Sequence, residues 1–278
     1  MFNIFKKKKN ILTSISDIGK VRNKNEDRVI TLEHPLNSNI KLLAVADGMG
    51  GCTNSELASE YVINKLKNWF TSLSIDSINT NIDILLYNKI IEINNKLVEY
   101  NITKNKLSNY TLYSNPNKYP GTTLTCAIIT LEDTVIANIG DSRAYAIIKD
   151  KIVQLTKDDS YAWLEYEKNK ISKDEIRFSP LNSYIYKCIG HNYDVKPYIA
   201  SIKNNYYSSL LLFTDGVTDC ISDNKIKFII DKNRNTLVAK KLIHEAVYSK
   251  KKDSLKIGNY TNIIKKGKDN ASVALYIK

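Results

Sequence analysis

Four runs in this chain, LLAVADG (42–48), VIANIGDSRAY (135–145), LLLFTDGVTD (210–219) and KDNASVALYI (268–277), each place an aspartate at the edge of a strongly apolar, strand-like stretch. Near-continuous apolar strands are buried on both faces, so carboxylates at their ends are carried towards the interior. An unpaired buried carboxylate is costly or shifts its pKa, and a cluster of them needs cations close by. Lys and Arg are sparse within these motifs. Hard divalent cations are then the economical partner: Mg²⁺ or Mn²⁺ suits carboxylate, carbonyl and water oxygens, whereas zinc would want His or Cys. The three histidines, His34, His191 and His244, stand away from these motifs in the sequence. The four cysteines are far apart with no Cys-x-x-Cys pair, so reduced, mostly buried thiols are expected.

Of only ten glycines, Gly48, Gly140 and Gly216 sit directly beside an aspartate, and Gly19 follows Asp17 by two residues. Gly permits turns and close approaches that other residues resist. Any one Asp-Gly pair is adequately read as a hairpin turn; the set is not. A two-metal, oxygen-ligated site can activate a water and stabilise the attacking and leaving oxygens at phosphorus, which points to phosphoester hydrolysis. Arg22, just before Asn25-Glu26-Asp27, is either a fork for phosphate oxygens or a surface partner of Glu26. DGMGG lacks the Walker Lys-Ser/Thr and the dinucleotide spacing, and no G-x-S-x-G elbow is present.

Along the chain, residues 40–46 read as a buried strand, and a helix should follow. Thr53-x-x-Glu56 has capping-box spacing, with Leu57, Tyr61, Leu66, Trp69 and Leu73 near one face. A second helix is expected over 83–101, carrying Leu86, Ile90, Ile93 and Leu97, then a surface connection to Pro120. Strands are expected over 122–131, 134–139, 143–148 and 152–155; the connections Glu132-Asp133 and Lys149-Asp150 are too short for a helical crossover, so these strand pairs should be antiparallel. After a mixed excursion at 161–185, the pattern gives strands near 195–201 and 208–214, helices near 221–231 and 236–249, and a last strand over 271–277.

With 278 residues, 43% hydrophobic and 25% charged, the chain can bury a full core as one large domain or two small ones. No apolar run approaches the ~20 residues needed to span a bilayer. Phe2, Ile4 and Phe5 precede Lys6–Lys9, the reverse of a secretory signal, so residues 1–11 read as a basic tail and a cytoplasmic location is expected. The net charge of +12 is local: residues 225–278 hold 14 Lys or Arg against 4 Asp or Glu. Such a surface can attract nucleic acid, acidic proteins or anionic lipid, but no nucleic-acid-binding signature accompanies it, and solvated lysines are the favoured reading.

The ordered series SDIGKVRNKNED (16–27), VADGMGG (45–51), GTTL (121–124), NIGDSRAY (138–145), FTDGVTD (213–219) and KDNAS (268–272) resembles the PPM, or type 2C, protein phosphatase family over residues 12–278. The resemblance implies an α+β fold, a four-layer α/β/β/α sandwich of two packed antiparallel sheets flanked by helices. It implies hydrolysis of phosphoserine and phosphothreonine on proteins by a metal-activated water. Asp47 would bridge two Mn²⁺ or Mg²⁺ ions, with the Gly48 carbonyl on the first and Asp215 and Asp269 on the second. Arg22 matches the phosphate-binding arginine, Glu26 and Asp27 match acidic residues holding metal-bound waters, and Asp141 and Asp219 match a third, weaker metal site in bacterial members.

Three departures stand out: Met49 replaces the histidine of many eukaryotic members, as in the bacterial branch; Asp158-Asp159-Ser160 stands for the Asp-His-Ser of many bacterial relatives; and residues 251–267 read as an insertion. The expected partners are phosphorylated proteins and a cognate Ser/Thr kinase or its targets, with no membrane, no nucleic acid and a monomeric chain. A pseudoenzyme keeping the fold as a binding module is disfavoured by the retained Asp47, Asp141, Asp215, Asp219 and Asp269.

Overall fold

The computed structural model describes residues 10–278 except 53, 107, 109–111, 113–117, 251–253, 258–259 and 264–265, and no side chains over 251–265. Its strands are β1 (Ile11–Asp17), β2 (Arg28–His34), β3 (Asn37–Ala46), β4 (Leu124–Ile129), β5 (Asp133–Ile139), β6 (Arg143–Ile148), β7 (Lys151–Gln154), β8 (Tyr198–Lys203), β9 (Ser209–Phe213), β10 (Ser254–Ile257), β11 (Tyr260–Ile263) and β12 (Ala271–Ile277). The α-helices are α1 (Ser55–Ser72), α2 (Ile75–Asn105), α3 (Tyr161–Glu167), α4 (Asp215–Thr218), α5 (Asp223–Lys232) and α6 (Val238–Ile243). One antiparallel sheet runs β2-β3-β4-β5-β8 and the other β1-β12-β9-β6-β7, with β10-β11 a separate two-stranded ribbon inside the expected insertion.

The apolar runs work on two faces at once. Along β3, Leu42, Ala44 and Ala46 pack with α1 and α2, while Leu43 and Val45 meet the other sheet. On β9 and β12, Leu211, Phe213, Val273 and Leu275 face α5 and α6, while Leu210, Leu212 and Ala274 turn inward to the same central layer. Period-2 side-chain alternation thus generates three stacked cores, and the four-layer α/β/β/α sandwich follows. Hairpins join β4 to β5 and β6 to β7, as the short connections require. Between β5 and β6 the chain instead changes sheet through Gly140-Asp141-Ser142, with Gly140 at φ +97°. This crossing turns Asp141 towards one end of the sandwich.

Two helical expectations need correcting. Helix α1 buries Ala58, Ser59, Val62, Ile63, Leu66 and Phe70, while Leu57 is 48% exposed and Tyr61, Trp69 and Leu73 pack only at the margin. Small Ala58 and Ser59 let the helix approach the sheet, so the larger apolar residues are displaced sideways. The helix cap is Asn54, in the left-handed region with no side-chain cap bond, and Glu56 accepts from Lys24 at 2.9 Å; the capping box expected from Thr53 lies outside the described residues. Helix α2 starts eight residues earlier than its stripe suggests, because Ser74 caps a first segment and Asn81 breaks the helical geometry before Leu86, Ile90, Ile93 and Leu97 enter the core. The connection expected up to Pro120 falls largely outside the described residues, though Leu112 within it is buried.

All four cysteines are buried and none forms a disulfide. No described helix is long and apolar enough to cross a membrane. The face of α1 is directly testable: Leu66→Ala should lower unfolding free energy by ~2–5 kcal/mol, and Leu57→Ala should change it by no more than ~0.5 kcal/mol, both read by denaturant titration.

Candidate active site and its carboxylates

Each carboxylate is delivered by a strand end and held there by backbone bonds. Asp47 leaves β3 with its carbonyl accepting from Thr123 N–H and from Thr122 Oγ1, both at 2.8 Å, while its own N–H donates to Thr123 Oγ1 at 3.0 Å. Gly48 lies so close to neighbouring backbone that a Cβ would stand 2.8 Å from the carbonyl oxygens of Glu26 and Ser55. At the end of β9, Thr214 precedes the single turn α4, and the Asp219 N–H donates to the Asp215 carbonyl at 2.8 Å. The four-residue spacing therefore closes as a helical turn. A Cβ on Gly216 would meet the Asn270 carbonyl at 1.9 Å, so α4 and the start of β12 can touch only through glycine.

Asn270 clamps the loop that carries Arg22 and Glu26. Its Nδ2 donates to the carbonyls of Ile18 (2.8 Å) and Lys24 (3.0 Å), and its Oδ1 accepts from Glu26 N–H (2.9 Å). Arg22 Nη2 then reaches Asp269 Oδ2 at 2.7 Å, whereas Glu26 is 3.9 Å away, so the alternative of a simple Glu26 partner is not how the guanidinium is held. Beneath it lies Gly50, where a Cβ would sit 2.9 Å from both terminal nitrogens.

Arg22, Asp47, Asp141, Asp215 and Asp269 line one pocket of about 150 Å³ together with Met49, Gly50, Thr123, Ser183 and Ile185. Glu26, Asp27, Gly48 and Asp219 stand just behind this lining. Asp27 accepts from Thr214 Oγ1 at 2.9 Å, and the Asp47 carboxyl is within hydrogen-bonding reach of those of Asp27 and Asp215. Larger clefts near 560 and 580 Å³ lie elsewhere, but they gather one and two acidic residues and no comparable cluster. The small pocket is the chemically significant one.

Burial and mutual repulsion dominate the electrostatics. Desolvation raises Asp27 to about 6 against hydroxyl bonds from Ser272 and Thr214, and desolvation with the charges of Asp158 and Asp219 raises Asp141 to about 7. Asp47 and Asp215 are pushed well up, first by desolvation and then by the surrounding aspartates. Asp27 Oδ1, Asp215 Oδ1 and Asp219 Oδ1 are buried without a hydrogen-bond partner. These orphaned oxygens and the all-oxygen donor set fit hard divalent cations. Among the described residues no three such groups already close on a single point, so the fit rests on donor chemistry and burial rather than on a finished coordination shell.

Motif reading located the carboxylates but not the groups that hold them: Thr122, Thr123, Thr214 and Asn270 were present in the motifs, and nothing in their spacing gave them a task. His191 was also missed. The fold sets it, buried, against Gly121 and near Met49, with Nε2 at 2.9 Å from the Tyr119 carbonyl oxygen, behind the pocket and not in its lining.

The family model described as protein phosphatase 2C matches residues 22–242. The serine/threonine phosphatase stp of Listeria welshimeri is 28% identical over 220 residues, 79% of this chain and 82% of that protein. Among solved structures, a bacterial serine phosphatase superposes with a TM-score of 0.77 at 30% identity, covering 96% of each chain. Stp1 of Staphylococcus aureus does so with a TM-score of 0.75 at 28% identity, covering 96% of this chain and 94% of the other. The chain belongs to the protein phosphatase 2C family.

The raised pKa values carry a stability consequence. Carboxyls that keep protons in the folded state stabilise it fully below about pH 4, the unfolded value, and lose that contribution as pH rises through their folded values, about 6 for Asp27 and about 7 for Asp141. Burial holds His191 below its usual value and works in the opposite sense below about pH 6.5. Between roughly pH 6.5 and 8.5, Asp27 and Asp141 should together cost chelator-treated protein ~1 kcal/mol, a fall of ~2–4 °C in melting midpoint. Saturating Mn²⁺ should flatten that slope, as followed by calorimetry.

Proposed function

We propose that this chain hydrolyses phosphoserine and phosphothreonine esters on proteins, using two Mn²⁺ or Mg²⁺ ions and a third, weaker one. The observation that carries the reading is the convergence of Asp47, Asp141, Asp215 and Asp269 with Arg22 on one small pocket, within a fold whose relatives are serine/threonine phosphatases. Asp47 would hold both principal ions, with the Gly48 carbonyl on the first and Asp215 and Asp269 on the second; Asp141 and Asp219 would hold the weaker one. Bound there, divalent cations supply Lewis acidity and a water acidic enough to attack phosphorus near neutral pH.

The residues divide the remaining work. Arg22, held by Asp269 over Gly50, presents a planar guanidinium to phosphate oxygens and orients the ester for attack opposite the leaving alkoxide. Asp27, anchored by Thr214, and Glu26, anchored through Asn270, hold waters at the rear of the pocket. The phosphorus–oxygen bond to the Ser or Thr side chain breaks as the bond to water oxygen forms. Met49 offers no proton, and the described lining contains no His, Cys or Lys, so the alkoxide takes its proton from water or from another group such as a protonated carboxyl of the lining.

Phosphoproteins controlled by a Ser/Thr kinase are the proposed substrates, with the chain acting as a cytoplasmic monomer; four buried cysteines outside any disulfide support the cytoplasmic part of the reading. Of the basic cluster near the insertion, Lys251, Lys252 and Lys265 lie outside the described residues, while Lys266 pairs with Glu245 at 2.7 Å.

Phosphopeptide hydrolysis should require Mn²⁺ or Mg²⁺ and vanish with chelator; full activity in rigorously metal-free buffer would sink the mechanism. Asp47→Ala, Asp215→Ala and Asp269→Ala should each abolish nearly all turnover. Near-normal rates in any of them would mean that the site is misplaced. Arg22→Ala should lower kcat/KM by ~10- to 100-fold, the loss of a charged hydrogen bond worth ~1.5–3 kcal/mol, while Mn²⁺ binding persists in calorimetric titration.

A further inference from the structure

The insertion over residues 251–267 enters and leaves the fold beside the loop that carries Arg22. Just before it, the Tyr248 hydroxyl donates to the Asp17 carboxylate, 3.1 Å from each oxygen, and the Lys20 ammonium stands 5.5 Å from the centre of the Tyr248 ring. At its end, the Gly267 carbonyl accepts the Lys20 N–H at 2.9 Å. Gly267 lies at φ +72°, and a Cβ there would stand 2.7 Å from the Val247 carbonyl oxygen, so the two roots of the insertion touch. Both roots therefore meet at Lys20, two residues before Arg22, and Asp269, two residues after Gly267, holds Arg22 itself at 2.7 Å.

Around these roots the surface is basic and apolar at once. Lys20, Lys250 and Lys268 are exposed, and so are Ile18 (39%), Val21 (67%) and Tyr248 (43%). The acidic groups beside them are engaged: Asp17 accepts from Tyr248 and, at 2.8 Å, from the Gly19 N–H, while Glu245 pairs with Lys266 at 2.7 Å and Lys225 at 4.0 Å. Residues 250–268 hold seven lysines against one acidic residue, Asp253, which leaves this side of the site with a cationic excess. Within the insertion, β10 and β11 pair with each other and with no other described strand. A two-stranded ribbon keeps an unpaired row of backbone groups on each side, and such a row offers hydrogen bonds to an extended chain.

We propose that this face, Lys20 with the roots and ribbon of the insertion, docks an acidic, extended segment of the phosphoprotein substrate, the stretch that flanks the phosphorylated residue. The inference rests on the reading of Arg22 and the carboxylate pocket as a phosphatase site and adds to it a preference for acidic sequence. Charge complementarity sets the sign of the partner: lysines on the approach to Arg22 attract anionic side chains and lower KM for segments that carry them. The apolar members set its class. Ile18 and Val21 offer aliphatic contact to side chains, where a nucleic acid would want aromatic platforms for its bases, and Tyr248, the aromatic group among the described side chains of this face, is engaged by Asp17 and Lys20. Lys20 and Arg22 belong to one loop clamped by Asn270, so a segment seated against Lys20 is delivered beside the guanidinium.

The test uses two phosphothreonine peptides of equal length, one flanked by glutamates and one by serines, with a single-stranded DNA of matched charge as a third probe. Binding to the full chain in chelator is read by fluorescence anisotropy at about 0.15 M salt, and turnover with Mn²⁺ by phosphate release. The glutamate peptide should bind ~10-fold more tightly than the serine peptide and more tightly than the DNA, with KM lowered to match, and high salt should erase the difference. Lys250→Glu combined with Lys256→Glu should remove the preference while kcat on para-nitrophenyl phosphate stays unchanged, since neither residue lines the pocket. Should that variant fold poorly, Lys250→Gln with Lys256→Gln decides the same question. Equal binding and equal kcat/KM for the two peptides would overturn the docking face, and Mn²⁺-dependent turnover of both would keep the phosphatase reading. A preference that survives in the double variants would overturn it too, by placing the contact elsewhere. DNA bound as tightly as the glutamate peptide would overturn the choice of a protein partner. Charge-dependent peptide binding without any Mn²⁺-dependent turnover would overturn the phosphatase reading, and with it the claim that the docked segment is a substrate.

Discussion

Like charges confined at one end of a protein interior dominate this molecule's design. Asp27 and Asp141 are buried, Asp47 and Asp215 are only partly open to the small pocket, and Asp219 is half-buried behind it. Each would repel the others if all were ionised together, which is why burial and neighbouring aspartates push their pKa values up in concert. Such an arrangement is unfavourable in itself and persists only because the scaffold over-determines it. The stability of the sandwich and the chemistry of the pocket are therefore opposed terms, and divalent cations reconcile them.

The scaffold meets this demand through its three stacked cores. Because β3, β9 and β12 are apolar on both faces, they are locked between a helical layer and the opposing sheet. Their ends cannot drift, and the residues that follow, Asp47 after β3 and Asp215 after Thr214, are projected to one end; Asp269, just before β12, arrives there from the other direction. Short-range bonds complete the work. Thr122 and Thr123 pin Asp47, Asn270 pins the Arg22 loop, and Asp159, which accepts the Gly140 N–H, pins the approach to Asp141. The threonine and asparagine clamps are uncharged and the Asp159 carboxylate is paired with Lys187, so positioning adds little repulsion to the pocket, and the arginine in the lining is itself paired with Asp269.

Much of this was legible beforehand, for identifiable reasons. A buried strand carries its own signature, and a carboxylate at its edge is conspicuous because it contradicts the run it terminates. Helix faces were harder: in α1 the fully buried positions include Ala58 and Ser59, residues that hydrophobic periodicity ranks below Leu57 and Trp69. Arg22 was equally ambiguous, since Glu26 is its neighbour in sequence and Asp269 its neighbour in space, 247 positions away. His191 illustrates the converse: remote from every motif in sequence, it packs beside Gly121 in the fold, yet stays outside the pocket lining.

By itself, the order of residues determined which strands are buried, where their carboxylates fall, that hairpins join β4 to β5 and β6 to β7, and that oxygen-loving cations suit the site. These are local properties, set by side-chain chemistry and by connections too short to allow alternatives. Only the tertiary structure decided that β5 and β6 part into different sheets, which groups clamp the carboxylates, that Arg22 pairs with Asp269, and that Asn182 and Lys187 reach the Asp219 and Asp159 side chains. Each of these depends on segments distant in sequence meeting at fixed separations, and such meetings are set by the packing of whole layers against one another, which no local pattern encodes.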